Sequence, residues 1–203
     1  MTAQPKLKLT EAEYLAIERN AEFKSEFYDG EMFAMAGANR LHNIVNENLA
    51  GELYAKLKGT HCRTLSRDQR VRISRTGLYC YPDLIIVCGP PEYSIQDPDT
   101  LVNPRVIIEV LSDSTERYDR TTKLQHYQQL PSVMDYVMVS QHQPMCERFS
   151  RSPDGTWAFV AFVGMNAKLE LTSVPVQVSL ADIYGGVTFP ELLQPNRHYP
   201  EPP

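Results

Sequence analysis

The chain has no CxxC pair, no long apolar run and no surplus of positive charge, and each absence removes a class of protein. Its four cysteines, Cys62, Cys80, Cys88 and Cys146, have no histidine at zinc-finger spacing, so they read as reduced, mostly buried thiols. No apolar stretch approaches the roughly 18–20 residues that span a bilayer. The opening MTAQPKLKLTEAEY lacks the apolar run of a secretory leader, and the expected location is the cytoplasm. A formal charge of −5 excludes a protein that coats nucleic acid without selectivity, because such binding depends on neutralising many phosphates.

What is present is an ordinary folding composition: 203 residues, 42% hydrophobic and 22% charged, enough for a single domain with a real core. The expected domain runs over 1–194, and 195–203, with four prolines, reads as a tail. Positive charge is concentrated locally. Arg63, Arg67, Arg70, Arg72 and Arg75 face one acid, Asp68, which marks a candidate phosphate-facing surface with Arg70 and Arg72 as nucleic-acid-binding residues.

Thr10 and Glu13 have capping-box spacing and predict a helix reaching about Asn20. Asp29-Gly30, between strand-like runs, predicts a hairpin. Leu41, Val45, Leu49, Leu53 and Leu57 recur at helical spacing over 39–58. DQRVRIS alternates with period two, as in a half-exposed strand. Two apolar strands, 83–87 and 106–111, flank a proline-rich segment expected to lack regular structure. A helix over 119–130 and a strand over 134–140 complete a crossover, and antiparallel strands come after it.

Glu109 lies inside an apolar run, where a carboxylate costs several kcal/mol unless compensated. Asp83 opens the other apolar strand, and neighbouring strands about 4.8 Å apart would bring the two acids together. A hard divalent cation resolves their repulsion, and Mg²⁺ favours such oxygens. It also activates water against phosphorus. Lys123, 14 residues beyond Glu109, is the candidate cation for stabilising developing negative charge, with Tyr127 one turn later on its face. A structural pairing of Glu109 with Arg70 or Arg72 is the alternative.

Pro82-Asp83 followed by Glu109-Val110-Leu111 resembles the PD-(D/E)XK nuclease superfamily, with Leu111 where the usual lysine stands. The stretches VIIEVLSDSTERYDRTTKLQHYQQLPSVMDYVMVS and FKSEFYDGEMFAMAGANRLH resemble a putative restriction endonuclease family abundant in cyanobacteria, in which the lysine has moved to the following helix. The likeness spans about residues 12–185. It implies an α/β restriction-endonuclease-like fold, in which helices 39–58 and 119–130 flank a mixed central sheet and extra strands lie at the C-terminal end. It further implies Mg²⁺, or Mn²⁺ in its place, held by Asp83, Glu109 and the Val110 carbonyl, with Lys123 catalytic and Glu26 a supporting acid. His42 matches the family pattern without an assigned role. The implied activity is hydrolysis of DNA by a homodimer. The alternatives are a nuclease-derived binding module without turnover and an interaction protein without a metal.

Overall fold

The structure, a computed structural model, describes residues 8–35, 37–66 and 68–189. The expected tail at 195–203, and Arg67, lie outside them.

Helix α1, Glu11–Glu18, begins with the expected reciprocal cap: the Glu13 amide donates to Thr10 Oγ1 and the Thr10 amide to Glu13 Oε2. Strands β1 (Ser25–Tyr28) and β2 (Glu31–Ala34) form the hairpin. Asp29 and Gly30 turn it with φ of 48° and 80°, the left-handed pair that matches strand twist. Helix α2, Arg40–Leu57, is capped by Asn39 and buries Val45, Leu49, Leu53 and Leu57.

The next strands are β3 (Cys62–Ser66), β4 (Arg70–Ile73), β5 (Leu78–Cys80), β6 (Leu84–Cys88), β7 (Tyr93–Ser94), β8 (Asp97–Leu101) and β9 (Val106–Leu111). The 119–130 helix is present but not uniform. It runs as α3 (Glu116–Tyr118), a π-helical turn (Asp119–Lys123) and α4 (Leu124–Gln128). Strands β10 (Asp135–Ser140), β11 (Met145–Arg151), β12 (Trp157–Val163), β13 (Lys168–Glu170) and β14 (Gln177–Ser179) lead to α5 (Leu180–Ile183).

The central mixed sheet has the order β12-β11-β10-β9-β6-β3. β9 and β10 are parallel across the helical crossover, and β6 lies antiparallel to β9 with Leu84 opposite Ile108. Alternation along β6 and β9 divides their side chains between two cores. Leu84, Ile86, Ile108 and Val110 pack toward α2, whereas Ile85, Val87, Ile107 and Leu111 pack with β4, β5 and Tyr127.

The expected mixed central sheet and flanking helices are present; one feature adds to them and two expectations are corrected. A second six-stranded sheet, β2-β1-β5-β4-β8-β7, accompanies the central one. The proline-rich segment is not structureless: β8 pairs in parallel with β4 through Thr100 and Leu101, the prolines leaving enough free amides for a short strand. Two cysteines are not thiols, because antiparallel β3 and β6 set Cys62 directly opposite Cys88 and the two are disulfide-bonded. Cys80 and Cys146 are free and buried as expected.

Candidate active site

Asp83 stands immediately before β6, and Glu109 is the fourth residue of the neighbouring β9. Glu109 shares the face of Ile107 and Leu111, and its Oε2 lies 3.4 Å from the Asp83 amide nitrogen. The two carboxylates therefore meet on one side of the sheet. Asp83 Oδ2 accepts the Val110 amide at 2.8 Å, and Oδ1 lies 3.0 Å from His42 Nε2. His42, on the first turn of α2, holds the Asp83 carboxylate.

Lys123 comes from the π-helical turn, and its ammonium lies 3.1 Å from Glu109 Oε1, 3.0 Å from Glu26 Oε1 and 3.3 Å from Asp119 Oδ1. Asp119 and Lys123 are four residues apart, the spacing that places two side chains on one helical face, and both line the same cavity. Tyr127, a turn later, donates to Glu109 Oε1 at 2.9 Å. Leu111, where the superfamily lysine would stand, is buried in the apolar cluster instead.

Three carboxylates, Glu26, Glu109 and Asp119, thus crowd around one ammonium, with Asp83 beside Glu109. Burial acts most strongly on Glu109. It is opposed by Lys123 and reinforced by Asp119, Asp83 and Glu26, and the carboxyl is pushed up to about 8. Burial also raises Asp119. For Lys123, burial works against the charge, but Glu109, Glu26 and Asp119 outweigh it and hold the ammonium well above the ordinary lysine range. In this cluster His42 Nδ1 is buried without a hydrogen-bond partner, and Asp119 Oδ1 has its 3.3 Å ion pair with Lys123.

The cluster opens into a cavity of about 250 Å³ lined by Lys24, His42, Asp83, Glu109, Val110 and Asp119, with the hydroxyls of Ser112, Ser114 and Thr115. A second cavity of about 440 Å³ shares Met35, Ser114, Thr115 and Lys123 with it, and its walls include Tyr28, Phe33 and Tyr118.

The arginine prediction does not survive the geometry. Arg70 is buried, ion-paired with Asp97 and donating to Thr100 Oγ1 and the Tyr81 hydroxyl. Arg72 pairs with Glu11 at 3.0 Å. Both guanidinium groups are committed within the second sheet, so neither is free for a phosphate, and neither is the partner of Glu109. Lys24 lines the cavity and is ion-paired with Asp68. The sequence reading also missed Asp119, whose spacing of four from Lys123 was the available signal. It did not assign the His42 contact, which depends on a fold-level approach of α2 to β6.

A family model described as Uma2: Putative restriction endonuclease matches residues 11–182. The chain belongs to the Uma2 family. Relatives include the uncharacterized protein slr1290 of Synechocystis sp., 30% identical over 90% of this chain and 94% of its own length. A second is the uncharacterized protein sll1609 of the same organism, 30% identical over 83% of this chain and 95% of that protein. The crystal structure of a putative nuclease belonging to DUF820 from Anabaena variabilis superposes with a TM-score of 0.71 at 14% identity, over 88% of this chain and 98% of that one. That likeness establishes the fold, and the Uma2 description puts the chain in a nuclease family. No helix among the described residues is long and apolar enough to cross a membrane.

Proposed function

We propose that this Uma2 protein is a metal-dependent endonuclease that hydrolyses DNA phosphodiester bonds, with Mg²⁺, or Mn²⁺ in its place, held by Asp83, Glu109 and the Val110 carbonyl. The observation that carries the reading is the gathering of three buried carboxylates around a single lysine, with the half-buried Asp83 set against one of them, Glu109. An all-oxygen donor set suits a hard divalent ion. The residues fit one: among the described residues, Glu109 Oε2 has only its long contact with the Asp83 amide. When bound, the ion supplies Lewis acidity that offsets phosphoryl charge and makes water a better nucleophile.

The chain's own residues then have distinct tasks. His42 and the Val110 amide fix the Asp83 carboxylate, and Tyr127 orients Glu109. Lys123, kept charged by its acids, swings toward the scissile phosphate and stabilises the negative charge that builds on its oxygens. Glu26 and Asp119 hold that ammonium near the cavity between turnovers. Ser112, Ser114 and Thr115 offer hydroxyls to phosphate oxygens at the cavity wall, and the aromatic walls of the adjoining cavity accept sugar and base.

The test is cleavage of supercoiled and linear DNA by the purified chain with Mg²⁺, with Mn²⁺ and with chelator. Metal-dependent products that vanish in Asp83→Ala and Glu109→Ala, with DNA affinity retained, support the proposal. DNA binding without cleavage under either ion favours a nuclease-derived binding module. Cutting both strands suits a two-fold assembly, so sedimentation equilibrium is expected to give about twice the 23.1 kDa chain mass.

A further inference from the structure

At the opposite end of β6 from Asp83, three side chains with affinity for softer metals converge. The imidazole of His61 and the sulfurs of Cys62 and Cys88 offer ligand atoms that all lie within 4.8 Å of one another. Among the described residues this is the one place where three such donors gather so closely. The framework beneath them is rigid: Cys62 and Cys88 are register partners across antiparallel β3 and β6, and the Gly89 amide donates to the His61 carbonyl at 2.8 Å. The Cys62 amide donates to Thr60 Oγ1, which in turn bonds the Leu57 carbonyl at the end of α2. The backbone of all three donors is thus held by strand pairing and hydrogen bonds other than the sulfur–sulfur bond.

The His61 ring is exposed and has no hydrogen-bond partner among the described residues, so it is available as a ligand. Beside it lies a cavity of about 350 Å³ lined by Tyr54, Lys58, Gly59, His61, Cys62 and Arg63, room for a water or small anion at a fourth coordination position. Two thiolates and one imidazole form a donor set that zinc accepts in four-coordinate sites with one exchangeable position. The set shares no residue with the all-oxygen cluster around Lys123.

We propose that the Cys62–Cys88 pair has two chemical states, the disulfide and a reduced form in which both thiolates and His61 bind one zinc-class ion. Reduction by a dithiol breaks the sulfur–sulfur bond as the dithiol closes its own disulfide. Two protons leave the thiols when the metal binds. In the reverse direction, hydrogen peroxide takes two electrons from the thiolates and two protons from solvent and becomes two waters; the sulfurs rejoin, and the ion departs with its charge unchanged. The site is a redox-gated metal site independent of the nuclease reading.

The experiment uses the full chain and Co²⁺ as the probe. Reduced wild type is expected to bind one equivalent and show a thiolate-to-cobalt charge-transfer band, displaced by Zn²⁺ and lost on peroxide treatment. The oxidised chain is expected to show no band. His61→Ala, a change at an exposed side chain, is expected to weaken the affinity tenfold or more, about the range even indirect ligand partners control. The double variant Cys62→Ser, Cys88→Ser is expected to lose the band while its circular dichroism stays that of the wild type. No band in the reduced chain, an equal band in the oxidised chain, or an unchanged affinity in His61→Ala overturns the proposal.

Discussion

Lys123 concentrates the electrostatics of the acidic cluster in one side chain. Its ammonium is the shared counter-charge of Glu26, Glu109 and Asp119, and removing one partner of a buried ion pair costs about 3–5 kcal/mol because the other charge is stranded. Measured above pH 8, where Glu109 is ionised, Lys123→Met should therefore lower stability by about 3–5 kcal/mol in urea titration and lower cleavage about 10²–10³-fold, with Glu109→Gln in the same chain recovering part of the stability. A stability of Lys123→Met equal to wild type would show that these acids are not charged in the folded state. Glu109 makes a separate prediction. Its folded value of about 8 lies above the ordinary 4.5, so its favourable contribution is complete below about pH 4.5 and fades as pH rises toward about 8. In chelator, stability should fall across that window, and the fall should flatten in Glu109→Gln. An identical slope in the variant would rule Glu109 out as its source. Asp83 and Glu109 were legible in sequence because charges at or within apolar runs demand compensation, and Lys123 only through the family likeness and the leucine at position 111. Arg70 was misjudged for the complementary reason: period-two alternation suggests an outward arginine, but its partner Asp97 lies 27 residues away, and nothing local reveals a buried pairing at that range.

The π-helical turn Asp119–Lys123 is the element on which the site's geometry depends. Deleting Thr121, which is exposed, would convert the turn to a regular helix and rotate α3 against α4 by about 100°. With α3 held in place, Lys123 and Tyr127 could then no longer both reach Glu109. The expected outcome is loss of cleavage with little change in far-ultraviolet circular dichroism, and retained cleavage would mean that the turn does not set the geometry. Sequence announced a helix here, through Leu124 and Tyr127, but not its local π winding, since periodicity over a dozen residues cannot resolve one inserted position. The hairpin turn and the Thr10 cap were legible because each depends on chemistry within four residues.

Across the whole molecule, the central sheet was readable from its apolar strands, and the β9-to-β10 crossover from the helix between them. The second sheet was not, because its strands are short and its pairing joins segments far apart, such as β4 with β8. Ligand linkage supplies the global test of the metal reading. An ion that binds only the folded chain stabilises it by about 2.7 kcal/mol at one hundred times its dissociation constant. Melting temperature should rise with Mg²⁺ in wild type and not in Asp83→Ala, and a wild-type curve indifferent to both Mg²⁺ and Mn²⁺ would favour an interaction protein without a metal. The Lys123 ammonium also joins two layers, since Glu26 belongs to the hairpin sheet and Glu109 to the central one. Any anion that draws the ammonium toward itself unlatches that seam, and the β1–β2 amides should then exchange with solvent faster while the central strands keep their protection. Substrate engagement and the looseness of one sheet edge would thereby be a single event.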